Sequence, residues 1–531
     1  MEYQSSASNR SRTALIFTLL FVVVFTLHIP LLRLPYFWDE AGYYVPAARD
    51  LWLTGSLIPH STPSNAHPPL VMAYLALCWK LAGYAPIVTR TAMLLVASFS
   101  LLGLFRLAQR VTNFEVAFAA TLCTGLYPVF FAQSSMAHVD LAAAGLILWG
   151  LHDHADNKPA GAAIWFSLAV LAKETALLIP LALAGWEWLA PFLKSKLADS
   201  VNPPSRWPWM LAPCLPLALW YLHHHHRTGF VFGNPEFFRY NVQGTLQPLR
   251  IALALGLRLW QVFGYLNLFV LTLAMLFALR RKPLCDAEGE RPRIARRVQF
   301  AFLAVGVVYL LAMALIGGAV LARYMLPIVP LVIIVAISTL RRRVRVWRSV
   351  VAIVALAFVA GLFINPPYGF SPEDNLAYRD YVELHQRAED FLEARYPMAR
   401  VLTAWPASDE LSRPYLGYVT RPMRVFRIEN FTVEQVMSAA EVSSNFNVAL
   451  VFSTKYEPPH PMLDRWRTWQ QWKSRFFGYH RDVPPEAAAQ LLGGRLVYKE
   501  FLRGQWVGVI EMEQICDASL AHQMTGVRLD H

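Results

Sequence analysis

The sequence LPYFWDE, residues 34–40, follows the first hydrophobic stretch of the chain at about residues 13–32. Its aromatic residues and proline are typical of the membrane–water boundary, where Trp and Tyr act as anchors. The motif ends in two acids, Asp39 and Glu40. Charged groups at membrane depth are costly and usually face a cavity or a reactive site. The motif therefore predicts chemistry at a membrane surface.

The composition is that of a membrane protein. Of 531 residues, 56% are hydrophobic and 16% are charged, whereas soluble domains carry roughly 25% charged residues. The net charge of +12 does not indicate a nucleic-acid partner, because residues 366–531 hold 18 Lys and Arg against 21 Asp and Glu. Residues 1–365 hold the other 30 Lys and Arg and 15 Asp and Glu. The five cysteines show no disulfide pattern.

Hydropathy predicts 11 spanning helices, each of roughly 17–25 residues or somewhat shorter. They lie at about residues 13–32, 88–105, 113–132, 139–152, 160–172, 176–190, 208–224, 259–279, 299–317, 325–340 and 348–364. The first resembles a signal peptide but lacks an A-x-A-like exit, so we interpret it as a retained anchor.

Charge in the loops predicts the orientation. Alternate loops carry 20 Lys and Arg, including the run Arg341-Arg342-Arg343, against 10 in the other set. The positive-inside rule assigns the first set to the cytoplasm. We therefore expect a multi-pass protein of the cell (inner) membrane with a cytoplasmic N-terminus. Asp39, Glu40 and the C-terminal domain would then be extracytoplasmic.

The predicted fold is a polytopic α-helical membrane domain, residues 1–365, and a small extracytoplasmic α/β domain, residues 366–531. The first outer loop, 33–87, contains an apolar segment at 67–83 that we interpret as an interfacial helix. Patterns in the second domain predict a helix at 374–395, buried strands at 400–405 and 448–452, and a terminal hairpin at 496–498 and 506–510. It contains no Gly-rich phosphate loop, so we assign it no chemistry.

With this topology, polar residues from distant parts of the sequence meet at one membrane boundary. They are Asp39, Glu40, His67, Asp140, Lys173, Glu174, Arg323 and Tyr324. Such a set suits a transfer reaction from an anionic lipid, since cations can neutralise a phosphate and a carboxylate can take a proton from the attacking group.

Each of these residues also has a structural alternative. The alternatives are a helix N-cap for Asp39 or Glu40, a cap or a pairing with His138 for Asp140, an interfacial Lys173–Glu174 ion pair, a snorkelling Arg323 and a helix stop at His67. The tract His223–His226 suggests a metal site, but four consecutive residues cannot share one helical face.

The pattern resembles the GT-C glycosyltransferases, in particular the bacterial protein mannosyltransferase-like and aminoarabinose-transferase-like branch. The resemblance covers about residues 10–365. It rests on the following motifs: Trp38-Asp39-Glu40, Ala41-Gly42-Tyr43-Tyr44, His67-Pro68-Pro69-Leu70, Asp140, Lys173-Glu174-Thr175 and Arg323-Tyr324 with Leu326-Pro327. It implies a sugar donor carried on polyprenyl phosphate and an acceptor at the non-cytoplasmic face.

The resemblance implies a role for each site residue. Asp39 would be the principal catalytic carboxylate, in a catalytic set with Asp140 and Glu40. Lys173, Arg323 and Tyr324 would bind the donor phosphate, and His67 and Glu174 would bind substrate.

The resemblance also bears on the reaction and the acceptor. Departure of the carrier from the face opposite the attack predicts inversion. A divalent cation (Mg, Mn or Ca) between Asp39, Asp140 and His67 is an open alternative. Aminoarabinose transferases tend to carry acid-basic-Pro-Pro at this position, so Ala66 departs from them and counts against lipid A as the acceptor. The envelope acceptor, whether lipid, glycan or protein, stays open.

Two other classes of function compete with this interpretation. A transporter or lipid flippase would also place ionisable groups within a helical bundle. Many transporters, however, have repeated halves with helices broken at the midplane, and neither feature is recognisable in the sequence. A scaffold for envelope partners is the third class, and replacing Asp39 with Asn would leave its phenotype unchanged.

Overall fold

The computed structural model describes residues 2–190, 206–233, 235, 239, 243–287, 289–458 and 466–512. The chain divides into two compact units. The first contains residues up to 379 together with 458–479, and the second contains 380–457 together with the residues from 480 onward. The division falls within one helix, Ala377–Arg395. The domain boundary after residue 365 stays a prediction.

The helices are numbered along the described chain. They are α1 (Glu2–His28), α2 (Val45–Thr54), α3 (Leu70–Ala82), α4 (Pro86–Val111), α5 (Phe114–Leu126), α6 (Pro128–Gln133), α7 (Val139–Ala155), α8 (Pro159–Ala172), α9 (Leu178–Leu189), α10 (Trp207–Met210), α11 (Cys214–Thr228), α12 (Pro248–Phe263), α13 (Leu268–Leu279), α14 (Arg296–Leu315), α15 (Val329–Arg343), α16 (Trp347–Phe363), α17 (Ala377–Arg395), α18 (Ala407–Ser412), α19 (Val433–Ala440), α20 (Arg467–Phe477) and α21 (Pro485–Leu492).

The strands are numbered in the same way. They are β1 (Cys285–Asp286), β2 (Gly289–Glu290), β3 (Arg400–Ala404), β4 (Arg424–Ile428), β5 (Val448–Phe452), β6 (Gly494–Leu502) and β7 (Gln505–Met512).

The chain is a multi-pass membrane protein. Within the described residues, four segments are long and apolar enough to cross a membrane: Ser11–Leu31, Pro86–Val111, Pro248–Leu279 and Arg296–Leu315. Shorter apolar helices are α3, α5, α8 and α16. The number of 11 spans stays a prediction.

Several predicted spans are not continuous helices. The span 113–132 divides into α5 and α6 at Tyr127, and 208–224 divides into α10 and α11. The span 259–279 is also interrupted. Leu266 and Asn267 have φ angles of +44° and +69°, which lie outside the right-handed helical region. They separate α12 from α13. The predicted helix at 67–83 is present as α3, a 13-residue helix.

Helix α7 is largely buried and packs against α4 and α8. Glycines occupy its closest contacts. A Cβ on Gly145 would lie 2.7 Å from the Cβ of Ser100 in α4, and a Cβ on Gly150 would lie 2.5 Å from the Phe166 ring in α8. Small residues at such positions let helix backbones approach closely where lipid gives no hydrophobic drive. This packing fixes the N-terminus of α7, where Asp140 lies.

The second unit contains a five-stranded sheet with the order β4-β3-β5-β7-β6. The pairs β4–β3 and β3–β5 are parallel, and β5–β7 and β6–β7 are antiparallel. The predicted strands at 400–405 and 448–452 and the terminal hairpin are confirmed, as is the helix at 374–395, which begins at Ala377. Strand β4 was not predicted.

Candidate active site

The candidate site forms where segments that join the helices of the first unit converge. Each segment supplies one charged side chain that contacts another member of the set. The residues and their positions are Asp39 beyond α1, Asp140 in the first turn of α7, Lys173 between α8 and α9, Arg323 in the 3₁₀ turn Ala322–Met325 and Glu373 in the 3₁₀ turn Pro372–Asp374.

Arg323 is the centre of this set, and its side chain is 1% exposed. Its Nη2 donates to Asp39 Oδ2 and its Nη1 donates to Glu373 Oε2. Its Nε lies 3.2 Å from Asp140 Oδ2. Burial at this depth argues against a snorkelling role. The planar fork of an arginine suits several carboxylates at once, which a lysine ammonium does not reproduce.

A second cation, Lys173, contacts one of these carboxylates, that of Asp140. Its Nζ donates to Asp140 Oδ1 and lies 3.9 Å from the centroid of the Tyr324 ring. The guanidinium groups of Arg258 and Arg323 lie 5.4 and 5.7 Å from that centroid. Three cations therefore surround Tyr324, an arrangement in which the negative face of the ring offsets part of their repulsion. Lys173 therefore forms its ion pair with Asp140, whereas its sequence neighbour Glu174 pairs with His67.

The adjacent acids Asp39 and Glu40 have different environments. Glu40 is 0% exposed, and its carboxylate accepts hydrogen bonds from Arg90 at 2.5 Å, from the Phe37 N–H at 2.9 Å and from the Ala137 N–H at 2.6 Å. The Asp39 side chain is 22% exposed and makes no helix-capping hydrogen bond.

The backbone around these acids is irregular. Trp38 has a φ of +46°, and a π-helical turn, Glu40–Tyr44, follows Asp39. Non-glycine residues at positive φ and π-helical turns are both frequent at functional sites. Glu40 is thus enclosed by hydrogen bonds, whereas Asp39 is accessible, and the catalytic role of either acid stays a prediction.

His67 and Glu174 form a separate pair. His67 Nδ1 lies 2.8 Å from Glu174 Oε2, and their side chains are 12% and 25% exposed. Burial by itself raises the pKa of Glu174, but His67 and Lys173 lower it to about 2. The ring of Tyr44 stacks on His67 at 6.0 Å and meets His138 edge-on at 5.7 Å. Tyr44 thus connects the His67–Glu174 pair to His138, which lies against Arg323.

Two residues that contact Arg323 were not predicted as site residues, Glu373 and His138. Arg323 Nη1 lies 3.2 Å from His138 Nδ1. Gln133 Oε1 lies 2.7 Å from the same ring nitrogen, and Gln133 Nε2 donates to the Glu373 carbonyl at 3.1 Å. Burial raises the pKa of Glu373 to about 8 and that of Asp374 to about 7, while Arg323 lowers both.

The three metal candidates do not assemble a cation site in this conformation. Where the structure is described, no position brings ligand atoms of Asp39, Asp140 and His67 within 4.8 Å of one another. Arg323 contacts Asp39 and Asp140, and Lys173 contacts Asp140. Since these amino-acid cations already balance the carboxylates, the residues do not fit a divalent metal, and we derive no step through one. In the histidine tract, His224 is buried and lies 2.8 Å from Ser64 Oγ.

The fold of the chain is GT-C, the fold of a class of membrane glycosyltransferases. Among solved structures, it is similar to ArnT from Cupriavidus metallidurans bound to undecaprenyl phosphate, with a TM-score of 0.53 and 13% identity, over 93% of this chain and 97% of that one. The apo state of that ArnT gives a TM-score of 0.51 and 14% identity, over 94% and 98%. AglB, an oligosaccharyltransferase from Archaeoglobus fulgidus in complex with a peptide and a dolichol-phosphate, gives 0.45 and 12%, over 95% and 75%. By sequence, no family model and no curated protein matches the chain.

Proposed function

We propose that this protein is an integral membrane glycosyltransferase that moves a sugar from a polyprenyl-phosphate carrier to an envelope lipid, glycan or protein. The observation that carries the proposal is the contact of Asp39 and Asp140 with Arg323 and Lys173 in a GT-C fold. Carboxylates beside buried cations supply the two requirements of the reaction, a base for the acceptor and positive charge for the leaving phosphate.

Asp39 is the proposed base. Of the three carboxylates on Arg323, Asp39 has a 22% exposed side chain, whereas those of Asp140 and Glu373 are 2% and 3% exposed. An acceptor can therefore reach Asp39 without rearrangement of the buried groups. Asp140 and Glu373 would instead hold Arg323 and Lys173 in position.

Lys173, Arg323 and Tyr324 are the proposed donor-phosphate subsite. Arg258 extends it, because the guanidinium of Arg258 lies against the Tyr324 ring. Its Nη1 donates to the Leu321 carbonyl at 2.7 Å, whereas its Nη2 is buried and has no hydrogen-bond partner among the described residues. A buried guanidinium N–H without an acceptor is costly, and a phosphate oxygen would supply that acceptor.

In the proposed step, an acceptor hydroxyl or amine attacks the anomeric carbon of the donor sugar. The new bond forms at that carbon as its bond to the phosphate oxygen breaks, and the bonding electron pair leaves with polyprenyl phosphate. The proton of the attacking group passes to the Asp39 carboxylate. Lys173 and Arg323 stabilise the charge that develops on the departing phosphate. Attack opposite the leaving group inverts the anomeric configuration.

The test is sugar transfer by purified protein in lipid vesicles, with a panel of polyprenyl-phosphate sugars. We expect Asp39→Asn to lower the release of polyprenyl phosphate by about 10²–10⁴-fold, the usual contribution of a positioned base. The matched control is Glu115→Gln, because Glu115 pairs with Arg341 and Arg348 and not with any site residue.

The outcomes separate the enzyme from its alternatives. Turnover by wild type that Asp39→Asn abolishes and Glu115→Gln retains supports the proposal. Turnover that is unchanged in Asp39→Asn contradicts the assignment of the base. Movement of the intact sugar-lipid across the vesicle membrane, with no cleavage of any donor, would replace the proposal with a flippase.

A further inference from the structure

A buried cluster in the second unit contains three side chains of metal-ligand type. His385 and Glu389 lie one helical turn apart on α17, and Glu410 lies on α18. One ligand atom from each lies within 4.8 Å of the others. His385 is 1% exposed, and both glutamates are 0% exposed. Spacing of i and i+4 places the first two side chains on the same helix face.

The cluster lacks the partners that buried carboxylates require. His385 Nδ1 lies 2.6 Å from Glu410 Oε2 and 3.8 Å from Glu389 Oε1. Both oxygens of Glu389 and Oε1 of Glu410 have no hydrogen-bond donor among the described residues. Within the residues that the structure describes, no Lys or Arg forms an ion pair with Glu389 or Glu410. Uncompensated buried carboxylates are strongly unfavourable, so something must neutralise this pair.

A single shared proton would not satisfy the cluster. A proton shared between Glu389 and Glu410 engages two of the three carboxylate oxygens that lack a donor, and it leaves the third oxygen without one. A divalent cation, in contrast, interacts with several oxygens and an imidazole nitrogen at the same time. One nitrogen and up to four oxygens form a donor set that suits zinc or manganese better than a soft, thiolate-seeking metal.

The surroundings of the cluster suit a structural ion. The His385 ring stacks on Tyr381 at 3.9 Å and meets Phe452 of β5 edge-on at 4.6 Å. These contacts fix the orientation of the imidazole, as the groups around a metal ligand commonly do.

We propose that His385, Glu389 and Glu410 bind one divalent transition-metal ion, of the zinc or manganese type, that ties α17 to α18. The site is structural, since none of its ligands is exposed. It is independent of the proposed sugar transfer, and its test does not measure that activity.

The test uses the full-length protein, purified in detergent without chelators from cells grown with added zinc or manganese. Elemental analysis should find about one zinc or manganese ion per chain. We expect the purified Glu389→Gln variant to contain at least about tenfold less metal than wild type. Its Tm should also be lower than that of wild type. The matched control is Asp390→Asn, because Asp390 is the next residue on α17 and is exposed; it should keep both the metal and the Tm.

The opposite result has a distinct signature. If the glutamates merely share a proton, wild type will contain no stoichiometric zinc or manganese. Glu389→Gln will then be as stable as wild type or more stable, because its neutral amide can donate to Glu410 as the protonated Glu389 does and has no proton to lose. That combination would overturn the proposal, whereas metal loss coupled to a lower Tm in Glu389→Gln alone would support it.

Discussion

At the scale of single residues, two adjacent acids give contrasting expectations. Glu40 and Arg90 are each 0% exposed and form an ion pair, and removal of one partner leaves a buried charge uncompensated. We expect Glu40→Gln to lower the free energy of unfolding by about 3–5 kcal/mol. Asp39→Asn should leave folding nearly unchanged, since Asp39 faces an accessible surface. Thermal unfolding in detergent measures both variants, and equal Tm values for the two would refute the distinction.

Asp374 predicts a pH dependence of stability. It is buried, Tyr265 Oη donates to its Oδ2 at 2.6 Å, and burial raises its pKa from 3.8 to about 7. The folded state therefore holds a proton that the unfolded state releases between about pH 4 and pH 7. The stability that this proton contributes is present below pH 4 and is lost as the pH rises to about 7, with a slope of at most about 1.4 kcal/mol per pH unit.

Replacement of Asp374 by Asn should remove this contribution to the slope. The amide cannot ionise, yet its oxygen can still accept from Tyr265. We expect the Tm of wild type to fall more steeply between pH 5 and pH 7.5 than that of Asp374→Asn, so that the variant gains on wild type as the pH rises. Parallel Tm curves for the two proteins would show that Asp374 does not titrate in this range.

At the scale of elements, the contact of α7 with α4 depends on Gly145. A Cβ there would lie 1.9 Å from Ser100 Oγ and 3.1 Å from the Ser100 Cα, and Ser100 Oγ is held by the Val96 carbonyl at 2.8 Å. We expect Gly145→Ala to destabilise the protein by about 1–3 kcal/mol through overpacking. Gly185 in α9 is the matched control, because a Cβ there meets nothing within 4 Å.

The control should change stability in the opposite direction. Alanine has a higher helix propensity than glycine by about 0.8–1 kcal/mol, so Gly185→Ala should raise the Tm slightly while Gly145→Ala lowers it. Thermal unfolding of both variants in one detergent decides the matter. A rise for Gly145→Ala as well would mean that α4 and α7 have room to separate.

Local sequence patterns predicted elements that carry a continuous apolar signal. Strand β5 reads Val-Ala-Leu-Val-Phe, is buried throughout and was predicted. Strand β4 reads Arg-Val-Phe-Arg-Ile and is only partly buried, so its pattern does not differ from that of a polar loop. The break between α12 and α13 was also missed. Gly264 and Asn267 are turn-forming residue types, but they stand singly within an apolar run.

The candidate site was predictable only in part, for a related reason. Asp39, Asp140, Lys173 and Arg323 interrupt apolar sequence, so their charge is conspicuous, and the structure brings them into contact. Glu373 follows Ser371-Pro372 in a segment that reads as an exposed turn. Its burial against Arg323 arises from tertiary packing, which no local pattern encodes. The same holds for His385, Glu389 and Glu410, since only the fold brings α18 to α17.

At the scale of the whole molecule, the first unit separates two kinds of charge. Helix α15 begins four residues after Met325, next to the candidate site, and ends with Arg341, Arg342 and Arg343. Its 15 residues span roughly 22 Å at about 1.5 Å per residue. The acidic candidate site and the arginine run therefore lie toward opposite ends of this helix. From the positive-inside rule, we predict that the arginine end is the cytoplasmic one.

This orientation can be tested with single cysteines in a cysteine-free background. Cys285 is exposed and lies on the segment that contacts the arginine run, where the Leu284 N–H donates to the Arg342 carbonyl at 2.8 Å. Met398 is 85% exposed in the second unit, which we propose is extracytoplasmic. In right-side-out membrane vesicles, a membrane-impermeant maleimide should label Met398→Cys at once. A protein whose single cysteine is Cys285 should be labelled only after the vesicles are permeabilised. Because both sites are exposed on the folded protein, a difference reports the membrane side and not burial. Labelling in the reverse order would place the arginine run outside and the candidate site in the cytoplasm, where a donor carried on the outer leaflet could not reach it.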